Sequence, residues 1–164
     1  QHNRLHVDAY DLTHALDPTR PVNDASGYVH VKTDIWTVHT YQQDPEVLKS
    51  QLTPDPEAGF FRNFPDKEVY RGQPYIVDEF GGIKWIPDKS LRFAEDSWGY
   101  GDDPQTLEEF YARLEALVSV VRSFDHITGF CYTQLTDIEQ EQNGIYNYDR
   151  SEKFDMARIA QIFR

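Results

Sequence analysis

Residues 74–82 read Pro-Tyr-Ile-Val-Asp-Glu-Phe-Gly-Gly, and this stretch decides the fold. Tyr75, Ile76 and Val77 form a short apolar run, the pattern of a strand buried on both faces of a parallel sheet. Two acids follow at once, and Gly81 and Gly82 let the backbone bend away. An acid at the C-terminal end of a buried parallel strand is presented to the cleft above the sheet, where α/β folds carry their chemistry. Glu79 is therefore the first candidate catalytic residue. The plainer reading is a solvated acid at a strand-to-loop junction.

The rest of the chain supplies helices between strands. Residues 4–16 carry Leu5, Ala9, Leu12 and Leu16 near the helical period. Asp17-Pro18-Thr19-Arg20-Pro21 stops that helix, because the residue before a proline is pushed out of the α region. Residues 21–24 then read as a short strand, and Asp34 to His39 as a second. Asp44 caps a helix running to Leu52, with Pro45 in its first turn. Residues 53–72 and 83–103 read as long loops, of the kind that usually carry function. Between 104 and 122, Leu107, Phe110, Tyr111, Leu114, Leu117, Val118 and Val121 recur at three- and four-residue steps, a clear amphipathic helix. Thr106 with Glu109 offers a capping box at its start. A strand over 127–135 and a helix over 155–163 close the chain. The order predicts an α/β fold of about four parallel βα units, either a small open sheet or half of an eight-stranded barrel.

With 164 residues the chain can bury a real core, and its 39% hydrophobic and 27% charged residues mark it as globular. The net charge of −12 argues against nucleic acid or an anionic membrane as partner. No stretch has the length of a membrane span. The single cysteine, Cys131, excludes an internal disulfide and a multi-cysteine zinc site, and its apolar surroundings predict a small buried hydrophobe. His2 and His6 are four apart but lack a third ligand, so no metal or other cofactor is expected. The first residues are neither a signal peptide nor an initiator, so a piece of a longer chain is expected. The compartment, cytoplasmic or periplasmic and secreted, stays open.

The motifs fall in an order that resembles a known family. They are Asp17-Pro18-Thr19-Arg20-Pro21, then Asp34-Ile35 leading to His39-Thr40-Tyr41, then Asp78-Glu79-Phe80-Gly81-Gly82, then Gly129-Phe130-Cys131-Tyr132-Thr133-Gln134-Leu135-Thr136-Asp137. Over residues 4–163 this resembles the C-terminal half of the catalytic (β/α)8 TIM barrel of glycoside hydrolase family two, the β-galactosidase and β-glucuronidase group. The resemblance implies that residues 1–164 are a partial barrel domain. It implies that Glu79 is the nucleophile of a retaining β-glycosidase, that Tyr41 sits beside it, and that Tyr132 helps wall the sugar site. The pattern departs from the family in having Tyr132 where galactosidases carry tryptophan, and in Gln134.

The family's general acid/base is a glutamate in an Asn-Glu pair. The five asparagines here are followed by Arg4, Asp24, Phe64, Gly144 and Tyr148, so no such pair exists. The resemblance therefore implies an upstream half that supplies the acid/base, and an isolated chain that is inactive. Such a half-barrel would leave open sheet edges and an exposed inner face, favouring a homodimer.

Further candidates for the carbohydrate site follow from position. His39 shares a strand end with Tyr41. Trp85, Trp98 and Tyr100 lie in the loop after the Glu79 strand, where indole faces either stack on a sugar or pin the loop. Gln134 and Asp137 follow the last strand, with Asp137 read as binding sugar hydroxyls or as part of a solvated acidic loop with Glu139 and Glu141. A non-catalytic carbohydrate-binding module and a purely structural α/β domain are the competing readings. Strand alternation predicts that only one of Asp78 and Glu79 faces the site.

Overall fold

The computed structural model describes residues 3–87 and 95–164. The middle of the predicted 83–103 loop, and His2 of the histidine pair, lie outside the described residues. Seven elements follow in order: α1 (Asn3–Leu16), β1 (Trp36–Thr40), α2 (Pro45–Leu52), β2 (Tyr75–Gly81), α3 (Leu107–Arg122), β3 (Ile127–Thr133) and α4 (Met156–Ile162). The strands form one parallel sheet in the order β1-β2-β3. Each crossover carries a helix, as parallel neighbours require.

Local chemistry sets the helix starts. The Asp44 carboxylate accepts from the N–H groups of Glu46 (2.8 Å) and Val47 (3.3 Å), and Pro45 gives up an N–H that had no partner to lose. Thr106 Oγ1 accepts from Glu109 N at 3.1 Å, so α3 begins at Leu107 rather than at Pro104. The capping box is shifted: the Glu109 carboxylate reaches back to the N–H of Gln105, not of Thr106. Asp155 caps α4 in the same way as Asp44 caps α2.

The core lies between one face of the sheet and the helices. Val38, Val77 and Phe80 of the strands meet Leu48 and Leu52 of α2 and the predicted α3 stripe of Phe110, Tyr111, Leu114, Leu117, Val118 and Val121, all buried. The opposite face carries Ile76, Gly129 and Cys131, and Cys131 is exposed rather than buried. The apolar run around it reflects alternation: Phe130 and Tyr132 turn toward Phe163 of the helical layer, which sends Cys131 the other way.

Two further expectations change. Residues 21–24 form no strand. Pro21 has no N–H to offer a ladder, and Val22 N donates to the side chain of Asp34 (Oδ2, 2.8 Å) in place of a neighbouring carbonyl. The segment instead lies beside β1 through side chains, with Asn23 Nδ2 reaching Thr37 Oγ1 at 3.3 Å. The described sheet therefore has three strands, not four. Helix α1 forms where expected, but buries none of its residues, and Leu5, Leu12 and Leu16 face solvent. Its polar face makes the attachments: Tyr10 donates to Asp34 at 2.5 Å, His14 Nε2 lies 2.6 Å from the same carboxylate, and Lys32 pairs with Asp11.

Candidate active site

The site is built where β2 ends. Val77 pairs with Val38 of β1, but the next β1 residue, His39, pairs with Glu79, so Asp78 is an extra residue without a partner. On the other side Val77 pairs with Phe130 and Phe80 with Tyr132, leaving Asp78 and Glu79 together opposite Cys131. This is a β-bulge, which re-aims side chains at the end of a strand. Alternation fails here, and Asp78 and Glu79 both reach His39. The Glu79 carboxylate is the more open, 38% exposed against 18% for Asp78. Gly81 and Gly82 then turn the chain away with positive φ, and a Cβ on Gly81 would sit 2.2 Å from the Tyr132 ring.

Glu79 Oε2 accepts a hydrogen bond from the Tyr41 hydroxyl and lies 3.3 Å from His39 Nδ1. Burial first, then the charge and hydrogen bond of Glu79, push the Tyr41 hydroxyl well above its ordinary pKa, so it stays a donor through the neutral range. Tyr41 stacks on Tyr100, with centroids 3.6 Å apart, and Tyr100 meets the edge of the exposed Trp98 at 5.8 Å. An aromatic path thus leads from the carboxylate to the surface. Gln43 Nε2 ties this end together by donating to the carbonyls of Gly81 and Tyr41.

Of the candidates read from the sequence, Glu79, Tyr41, His39 and Trp98 converge. The others lie elsewhere. Trp85 packs against Phe110 of the core, and its backbone N–H donates to the Gln142 carbonyl, so it pins its loop. Tyr132 is buried under Gly81, and its hydroxyl accepts from Ile83 N at 3.2 Å. Gln134 donates to Asn143 Oδ1 at 2.8 Å, and its carbonyl accepts from Ile145 N. Asp137 is buried, with both oxygens on Lys153 Nζ (2.7 and 2.9 Å) and one also accepting from Gly144 N (2.8 Å). Asp137 and Gln134 thereby hold the 134–153 loop onto the sheet end rather than standing free beside Glu79.

Ser26 and Asn63 join the site around His39 without any motif in the sequence to mark them. Ser26 Oγ donates to Asp78 Oδ2 (2.7 Å) and lies 3.0 Å from His39 Nε2, while Asn63 exchanges two hydrogen bonds with the His39 backbone. These contacts bridge loops far apart in the chain and leave no local signal. Among the described residues, no group of three or more His, Cys, Asp or Glu side chains is arranged for a metal ion, and no helix is long and apolar enough to cross a membrane.

No protein-family model matches this sequence, and no match is found among curated proteins. The fold does match solved structures. It superposes on a GH2 β-galacturonidase from Eisenbergiella tayi with TM-score 0.65 at 16% identity, over 99% of this chain and 30% of that one. The β-D-glucuronidase of Dictyoglomus thermophilum gives 0.59 at 19% identity, over 98% and 28%. The β-glucuronidase of Faecalibacterium prausnitzii gives 0.56 at 18%, over 95% and 27%. The chain is thus a parallel α/β unit with an acidic site at its strand ends, and it shares its fold with a part of GH2 glycoside hydrolases. It spans only 30% or less of the length of these enzymes.

Proposed function

We propose that this chain is the nucleophile-bearing half of a retaining β-glycosidase barrel of glycoside hydrolase family two, hydrolysing terminal β-glycosidic bonds. The observation that carries the reading is the Glu79 carboxylate, half-exposed at the end of a central parallel strand and hydrogen-bonded by Tyr41. A retaining enzyme sets two carboxyl groups about 5–5.5 Å apart, one attacking the anomeric carbon and one protonating the leaving oxygen. Glu79 takes the first role. The tyrosine hydroxyl holds Oε2, so that Oε1 approaches the sugar. A glycosyl ester forms at Glu79 as the aglycone leaves with a proton, and water then cleaves the ester and restores the carboxylate. Trp98 offers an exposed indole for the sugar's apolar face.

The proton donor is assigned to an upstream half of the same enzyme, since this sequence holds no Asn-Glu pair. Two features support such a partner: the exposed Leu5, Leu12 and Leu16 stripe of α1, and the uncovered sheet face at Cys131. Without that half the chain is expected to turn over little substrate, since general acid catalysis contributes about 10²–10⁴-fold. A homodimer would cover the same surfaces. The sugar is proposed as galactoside-like, whereas the matched enzymes are named for uronides.

The test uses mechanism-based fluoroglycosides of galactose, glucose and glucuronic acid on the full-length enzyme. One of them is expected to label wild type at Glu79 and to leave Glu79→Gln unlabelled. Peptide mapping that finds the label on another carboxylate, with Glu79→Gln active, would sink the assignment. Sugar binding without labelling or turnover in the full-length protein would favour the binding module.

A further inference from the structure

We propose that Ser26 and Asp78 are positioning residues that grip the His39 ring and, through it, aim the Glu79 carboxylate. This rests on the nucleophile role proposed for Glu79. The bulge at Asp78 is what makes it possible, because regular alternation would send the two acids to opposite faces. Instead Asp78 Oδ1 lies 3.4 Å from His39 Nε2, and Glu79 Oε2 lies 3.3 Å from Nδ1. One imidazole spans both carboxylates.

Ser26 closes the arrangement from the loop before β1. Its hydroxyl donates to Asp78 Oδ2 at 2.7 Å and sits 3.0 Å from Nε2. The ring is also walled in. A Cβ on Gly27 would fall 2.1 Å from His39 Cγ and Cδ2, so the backbone there presses directly on the imidazole. The His39 main chain is fixed by Asn63, which accepts from its N–H (3.0 Å) and donates to its carbonyl (2.9 Å). A ring confined on its flank and held at Nε2 has one pole left, and that pole meets Glu79.

Oε2 of Glu79 then accepts from Tyr41 and lies against Nδ1 of the confined ring. Oε1 carries no hydrogen bond among the described residues and is the oxygen left to attack. Asp78 is unsuited to attack, being the less exposed acid and already taken up by Ser26. Ser26 and Asp78 touch no reacting atom in this scheme. Their effect is geometric, and a misplacement of the reacting group on the order of 1 Å costs roughly a hundredfold in rate.

In the full-length enzyme, Ser26→Ala and Asp78→Asn are each expected to lower kcat on an aryl β-glycoside by about tenfold to hundredfold. KM is expected to stay within about threefold, since neither residue contacts the sugar. Ser26→Thr keeps the hydroxyl and should restore most of the lost kcat, which a merely structural role would not require. Ser26 is exposed, so its substitution spares the fold even if Asp78→Asn does not. In ¹⁵N spectra of the wild type and Ser26→Ala, the His39 ring nitrogens should shift, and Ser26→Thr should return them. Wild-type kcat in Ser26→Ala, with Glu79→Gln inactive, would overturn this inference and leave the glycosidase reading intact. Full activity in Glu79→Gln would overturn both.

Discussion

Lys153 and Asp137 provide the sharpest test of what holds the strand-end loop in place. Their side chains are 0% and 2% exposed, and Lys153 Nζ meets both carboxylate oxygens at 2.7 and 2.9 Å. Burial pushes the Asp137 carboxyl up and the Lys153 ammonium down, so in each case desolvation outweighs the attraction of the partner. Such a pair is costly to break and inexpensive to replace whole. Lys153→Met leaves a buried carboxylate whose only remaining donor among the described residues is Gly144 N. The expected loss is about 3–5 kcal/mol, the range for stripping one partner from a buried ion pair. At about 2–4 °C per kcal/mol for a chain of this size, the midpoint should fall by roughly 6–20 °C. Asp137→Asn added to Lys153→Met removes the stranded charge and keeps an acceptor for Gly144. The double variant should therefore recover about 1–3 kcal/mol relative to the sum of the single losses. Urea and thermal unfolding of the four chains give the cycle directly. A Lys153→Met chain within about 1 kcal/mol of wild type, or additive variants, would refute the reasoning. Asp137 would then be free to serve the sugar site instead.

Three further outcomes are expected. Tyr41→Phe should lower kcat/KM of the full-length enzyme by about tenfold to hundredfold, the worth of a hydrogen bond to a carboxylate, and steady-state kinetics that match wild type would remove Tyr41 from the site. The buried His30–Asp24 pair (2.7 Å) should make stability pH-dependent. Burial lowers the His30 pKa, but Asp24 and the Thr37 carbonyl raise it further, and the net is upward. Burial raises the Asp24 pKa, but His30 and the N–H groups of Val31 and Lys32 lower it further, and the net is downward. A raised histidine stabilises fully below about pH 6.5 and loses that contribution as pH climbs through its folded pKa; a lowered aspartate stabilises above about pH 3.9 and loses it as pH falls. Urea midpoints should thus decline above neutrality in wild type but not in Asp24→Asn, and parallel pH profiles would contradict the pairing. Cys131 should react with a thiol reagent in the native 164-residue chain and be protected in the longer enzyme proposed above; equal reactivity in both would argue that nothing covers that sheet face.

What the sequence determined by itself is short in range. The run Tyr75-Ile76-Val77 with its acids and glycines marks β2 and Glu79, because burial and turn chemistry act within a few residues. The three- and four-residue spacing from Leu107 to Val121 marks α3, and Asp44-Pro45 marks the start of α2, for the same reason. Tertiary structure decided the rest. The strand expected at residues 21–24 yielded to the Asp34 side chain, which competes with a ladder only once α1 and β1 are in place. The tyrosine on β3 went to the core and the cysteine to the surface, because the face a strand buries depends on where the helices pack. Asp137 met a lysine sixteen residues on, and Ser26 met an acid fifty-two residues on, separations at which no periodicity links one residue to another. The meeting of Asp78 and Glu79 on one histidine turns on a single bulged residue, which shows only in the pairing of β2 with the strands on both sides.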